Sequence, residues 1–162
     1  MPLLVVRHAQ AGRRSAYQGD DRQRPLTVRG RARAAALVPE LSRYRPQRIL
    51  SSPYVRCWET VQPLAEALGL GVESVDELGE GHGPDALRQL VTMAGESAVL
   101  CTHGDVAGDL LEFLYPEPTP VRARLRLQKG DVWIVQSAGS ALVISDHLRR
   151  PTTRTPGTAG GG

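Results

Sequence analysis

Cysteine is nearly absent: Cys57 and Cys101 are the two in 162 residues. That excludes a disulfide framework. Cys101 ends an apolar run and reads as a small core residue. Aromatic residues make up only 4% of the chain, which argues against a base-stacking nucleic-acid platform. No window approaches the ~18–20 apolar residues of a membrane span. Met1-Pro2 leads directly into an apolar run, without the basic and hydrophobic regions of a signal peptide, so the cytoplasm is the expected compartment. No metal-ligand spacing and no internal repeat is present.

What is there is arginine. The net charge is +3, and between Arg7 and Arg33 stand eight arginines against only Asp20 and Asp21. Such a density suits phosphate or RNA, and the scarcity of aromatics and of Gly-rich RNA motifs weighs against RNA. A length of 162 residues suits one domain with a real core. Residues 1–148 are expected to form it. From Arg149 onward the chain is Pro, Thr, Arg and Gly without periodicity, which reads as a disordered tail over 149–162.

Leu3 to Val6 is a continuous apolar run, the signature of a buried strand. Residues 9–25 read as a long polar loop, and Thr27 as the N-cap of a helix. Its stripe is Ala34, Leu37, Val38 and Leu41, with Pro39 expected to bend or end it. A second strand spans 47–50. Ser52 and Pro53 read as cap and first residue of the next helix, striped by Val61, Leu64, Ala65 and Leu68 and stopped at Gly69. A third strand covers 72–75. Pro84 opens a helix with Leu87, Leu90, Val91 and Ala94 inward. A fourth strand covers 98–101, and a fourth helix points Val106, Leu110, Phe113 and Leu114 inward. Residues 121–127, 131–137 and 141–146 read as strands. Alternating β and α predicts an α/β fold: a three-layer αβα sandwich, its sheet mostly parallel with an antiparallel edge.

Ligands bind at the carboxyl ends of parallel strands in such sheets. Arg7-His8, Ser51 to Arg56, Glu77 to His82, and Thr102-His103 all fall at those ends. Two arginines and two histidines in one pocket repel one another and call for a polyanion. Arginine forks match phosphate oxygens bidentately. A cysteine-based phosphatase would need an arginine six residues after its thiol, and Ala107 stands there for Cys101.

Leu-Val-Val-Arg-His-Ala, Arg-Pro-Leu-Thr at 24–27 with Gly30, Ser52-Pro53 with Arg56 and Thr60, and Cys101-Thr102-His103-Gly104 follow in an order that resembles the histidine phosphatase (phosphoglycerate-mutase-like) superfamily. The likeness covers about residues 2–147. It is greatest to the short phosphohistidine-phosphatase, SixA-like branch, and extends to the phosphatase half of Nudix–phosphatase fusion proteins. The resemblance implies that His8 is a nucleophile forming a phosphohistidine, with Arg7, Arg56 and His103 holding the phosphoryl group. It implies Glu80 as general acid, with His82 and Asp85 as alternatives and Glu77 as a structural residue. Arg13 and Arg14 are candidates for contacts with the rest of the substrate. No metal or cofactor is implied. The expected partner is a phosphorylated small molecule or a phosphohistidine-bearing protein, with no nucleic acid or membrane. The oligomeric state is left open. Ala9 stands where the family usually has Gly, a change that costs little if its φ is negative. The competing expectation is a phosphate-sensing or protein-interaction module that keeps the pocket without turnover.

Overall fold

A computed structural model of the chain describes residues 2–151. The expected tail beyond Pro151 lies outside them. Arg149 and Arg150 are tied back, the first through its side chain to the Arg124 carbonyl, the second through its N–H to Asp131.

A six-stranded sheet forms the middle layer, in the order β3-β2-β4-β1-β5-β6. Strands β1 (Leu3–Arg7), β2 (Arg48–Ser51), β3 (Val72–Ser74) and β4 (Ala98–Thr102) run parallel. Strands β5 (Val132–Ala138) and β6 (Ala141–Leu148) form a hairpin that continues the sheet antiparallel to β1. The expected architecture therefore stands. Helices α1 (Val28–Ser42) and α2 (Val55–Leu68) cover one face, burying Leu37, Leu41, Val61 and Leu64 against Leu4, Val6 and Val99. Helices α3 (Gly83–Thr92) and α4 (Gly104–Leu114) cover the other, with Leu90, Val106 and Leu110 against Leu3, Val5 and Leu100. Residues 3–6 and 98–102 are buried throughout, which is why these strands read as continuous apolar runs.

Local signals explain most boundaries. Thr27 accepts the Gly30 N–H at 3.1 Å and caps α1. Gly69 ends α2 in the left-handed conformation at φ 66°. Some expectations fail for physical reasons. Pro39 does not end α1, which continues to Ser42. Ser52 does not cap α2: Tyr54 is the N-cap, and the Ser52 hydroxyl is engaged with His103. Val91 and Phe113 are exposed rather than inward, because the buried positions are Ala86 and Leu90 on α3 and Val106, Ala107, Leu110 and Leu111 on α4. Residues 121–127 are not a strand. Pro120–Arg124 form a short helix, α5, which Thr119 caps by accepting the Arg122 N–H.

Candidate active site

Sheet order brings the sequence-distant groups together. Arg7 is paired in register with Thr102, and Ser51 with Cys101. The segments after β2, β4 and β1 thus leave the same edge side by side, carrying Ser52, His103 and His8. The His8 N–H donates to the Thr102 carbonyl at 3.0 Å, and the Ser52 N–H to the Cys101 carbonyl at 3.0 Å. From the other side, the Gly130 N–H is shared between the carbonyls of Arg7 and His8 at 3.0 and 3.1 Å. The Thr60 hydroxyl accepts the Ala9 N–H at 3.0 Å and donates to the Arg56 carbonyl at 2.6 Å. His8 is held at its backbone by β4 on one side and by the turn before β5 on the other, and α2 holds the next residue, Ala9. Ala9 does not have a positive φ, so the alanine sits there without strain.

His8 is only 6% exposed. Its Nδ1 lies 2.7 Å from the Ala9 carbonyl, a contact that requires Nδ1–H and leaves Nε2 with its lone pair. Burial is the main cause that pushes its pKa down, to about 3, and the charges of His103, Arg56 and Arg7 act in the same direction. The ring is therefore a neutral base at pH 7.

Arg56 is fully buried at the start of α2. Its Nη1 donates to the Asp21 carbonyl at 2.9 Å, and its Nη2 to Asp21 Oδ2 at 3.2 Å and Glu80 Oε1 at 2.7 Å. Burying an unpaired charge is costly, and the two carboxylates offset that cost. The Tyr54 ring lies 4.8 Å from the guanidinium and 4.5 Å from the His103 ring, walling this corner. His103 Nε2 is 2.8 Å from Ser52 Oγ, with Cys57 Sγ at 3.5 Å. His103 Nδ1 is buried, has no hydrogen-bond partner among the described residues, and stands 3.6 Å from Glu80 Oε1. The rings of His8 and His103 are 5.4 Å apart between centroids.

Arg7 lies across the N-terminus of α4. A Cβ on Gly104 would come within 2.6 Å of its Cζ, so any larger residue after His103 would push the guanidinium aside. Its Nη1 donates to the Leu127 carbonyl at 3.0 Å, and its Nε is buried without a partner. Burial lowers its pKa, and the nearby Arg126 lowers it further.

Arg7, His8 and Arg56 line a cleft of about 1340 Å³, together with Arg13, Arg14, Glu80, Arg126 and Lys129, and the His103 ring stands against that of His8. The structure thus brings Arg7, His8, Arg56, His103 and Glu80 into one site. Glu80 Oε1 also accepts from Arg14 Nη2 at 2.7 Å, so its carboxylate bridges two arginines. Arg13 lines the cleft. His82 and Asp85 do not line it: they face each other at 3.7 Å, both about half exposed. Cys57 and Cys101 are buried free thiols, as small core residues. Sequence reasoning missed Asp21 as the partner of Arg14, Arg24 and Arg56. Its signal was faint: it is one of two acids in an arginine-rich stretch. Among the described residues, no group of three or more His, Cys, Asp or Glu is placed to hold a metal ion, and no helix is long and apolar enough to cross a membrane.

Residues 3–86 match the histidine phosphatase superfamily (branch 1), and the chain belongs to that family. It is 38% identical over 161 residues to an 8-oxo-(d)GTP phosphatase of Mycolicibacterium smegmatis. That match takes in 92% of this chain and 48% of the relative, so the chain spans about half the relative's length. It is 28% identical over 136 residues to the phosphohistidine phosphatase SixA homolog of Haemophilus influenzae, covering 75% of this chain and 81% of that protein. Among solved structures, the protein histidine phosphatase SixA complexed with tungstate superposes with a TM-score of 0.74 at 23% identity, over 91% of this chain and 96% of that one. A mycobacterial glucosyl-3-phosphoglycerate phosphatase superposes with a TM-score of 0.71 at 18% identity, over 90% and 97%. The structural likenesses bear out the fold, and the Haemophilus influenzae relative is in keeping with the resemblance to the SixA-like branch. Both of these curated relatives carry phosphatase in their names.

Proposed function

We propose that this chain hydrolyses phosphate from its substrate in two steps through a phosphohistidine on His8, without a metal in the transfer. The observation that carries this reading is the His8 ring. It is fixed by the Ala9 carbonyl, kept neutral by burial, and faced by Arg7, Arg56 and His103. In the first step Nε2 attacks phosphorus in line with the leaving oxygen, and a P–N bond replaces the P–O bond. The arginines neutralise the equatorial oxygens. A doubly protonated His103 would donate Nε2–H to Ser52 and present Nδ1–H to the phosphoryl group. In the second step water attacks phosphorus, the bonding pair returns to Nε2, and orthophosphate leaves.

Glu80 is the carboxylate nearest this chemistry and is the general acid in this reading. Arg14, and Arg13 at the cleft wall, are placed for the remainder of the substrate. The candidate substrates are small phosphomonoesters or nucleotides and a phosphohistidine-bearing protein. The two curated relatives carry one of each class in their names.

The test is hydrolysis of an aryl phosphate in the presence of chelator, with His8→Ala alongside. The wild type turns over and forms an acid-labile phosphoryl-enzyme, and the variant does neither. Turnover retained by His8→Ala would refute the mechanism. Phosphate binding without turnover of either an aryl phosphate or a phosphohistidine protein would favour a sensing module.

A further inference from the structure

The cleft carries more positive charge than one phosphoryl group uses. Its inner end is balanced in the unliganded protein, where Asp21 and Glu80 between them engage Arg14, Arg24 and Arg56. Its outer wall is not. Arg126 and Lys129 line the cleft on the segment before β5, and no carboxylate pairs with either among the described residues. That segment wraps Arg7: Leu127 takes its Nη1, and Gly130 binds its carbonyl. Gly130 makes the required turn at φ 80°. Lys129 and Arg126 thereby line the same cleft as the Arg7 guanidinium, near enough for their charges to act on one another, and the Arg7 Nε is unpartnered among the described residues. Burial, followed by the charges of Arg7, Arg24 and Arg150, lowers the pKa of Lys129.

Acids stand nearby, but among the described residues none forms an ion pair with Arg126 or Lys129. Asp131 is bound by His147 and by the N–H groups of Gln128 and Arg150. Asp105 and Glu112 line the cleft from α4, and Asp105 accepts the Gly81 N–H at 2.8 Å. A single phosphomonoester bound at His8 leaves the outer cations without counter-charge.

Resting on the phosphatase reading of His8, we propose that Arg126 and Lys129, continuing from Arg7, form a second anion subsite, and that the substrate is a phosphoanhydride chain bound with its terminal phosphoryl at His8. The next phosphates lie along Arg7, Lys129 and Arg126. In the transfer, a bond forms between His8 Nε2 and the terminal phosphorus. The P–O bond to the bridging oxygen breaks, and its electron pair leaves on the shortened chain, next to the two outer cations. Water then releases orthophosphate from Nε2 and gives up its protons to product and solvent. A leaving phosphate oxygen is stabilised by charge, and so benefits directly from a cationic wall.

The experiment compares binding of orthophosphate, inorganic tripolyphosphate and a nucleoside triphosphate by calorimetry, in chelator, with inhibition of aryl phosphate hydrolysis as a second readout. The wild type is expected to bind tripolyphosphate about tenfold or more tighter than orthophosphate, the effect of one added charge-assisted contact. Arg126→Gln and Lys129→Gln, singly and together, reduce that preference stepwise. The pair Arg43→Ala with Arg88→Ala removes two charges outside the cleft and keeps it. Nucleotide binding equal to tripolyphosphate means that the subsite reads the chain alone, and tighter binding means that the nucleoside adds contacts. Equal affinity for orthophosphate and tripolyphosphate overturns the proposal, as does an undiminished preference in the double variant or its loss in the control pair. A preserved tripolyphosphate preference in a protein that hydrolyses nothing overturns the phosphohistidine reading and leaves the subsite standing.

Discussion

At the scale of single residues, protonation of His8 decides two measurable things. Its pKa lies near 3 in the fold against 6.5 in a free chain. Activity therefore shows no acid limb from His8 in the range 5–7, and a kcat/KM profile assigns any limb there to another group. For stability, the unfolded chain takes up a proton below about 6.5 that the folded chain refuses until about 3. Stability is thus lost as pH falls through that window, by ~1.4 kcal/mol per pH unit for this one group. Urea unfolding at pH 7 and pH 5.5 should show the loss in the wild type and less of it in His8→Ala. Glu80→Gln separates roles by leaving group. As general acid, its loss slows alkyl phosphates by about 10²-fold or more and aryl phosphates far less. An equal effect on both would assign Glu80 to binding.

Secondary-structure elements deliver these residues through close approaches that admit no side chain. A Cβ on Gly30 would lie 2.1 Å from the Gln10 carbonyl oxygen, where the first loop meets α1. Gly30→Ala is expected to cost roughly 1–3 kcal/mol by overpacking, measurable as a shifted denaturation midpoint. Gly104→Ala displaces Arg7 instead, and should lower kcat/KM by about 10²-fold with little loss of stability, since one arginine contact to the transferring group is removed. Thr60→Val leaves the buried Ala9 N–H unsatisfied, at about 1–3 kcal/mol. Strand ends were legible in the sequence because buried parallel strands are unbroken apolar runs, and Arg7, His8 and His103 directly follow such runs. The site partners of Arg56 were not. Asp21 lies 35 positions before it, on a turn with no periodic signature. Residues 121–127 misled for a specific reason. Val121, Ala123, Leu125 and Leu127 alternate with Gln128 and three arginines, a strand's pattern, but Thr119 and Pro120 start a helix there, and a cap with a proline in the first turn outweighs alternation over so few residues.

For the molecule as a whole, the αβα layers and the parallel core followed from the order of runs and stripes, while the neighbours in the sheet did not. β1 and β2 are consecutive in sequence yet not adjacent, since β4 lies between them. This arrangement sets when His8 can become a working group during synthesis. The histidine is among the first residues made, but its backbone is held by β4 and by the turn before β5. The Gly130 N–H that pins its carbonyl comes later than four-fifths of the described chain. A nascent chain that has exposed only the stretch matching the family, residues 3–86, holds β1 and β2 with an open gap between them. Closing that gap requires contacts across about a hundred positions, and such non-local pairing slows folding because loop closure is met before the contacts form. An apolar strand kept waiting is also an exposed edge. His8 is therefore made early, directly after Arg7, and fixed late. Refolding followed by phosphate binding should lag behind refolding followed by helix content.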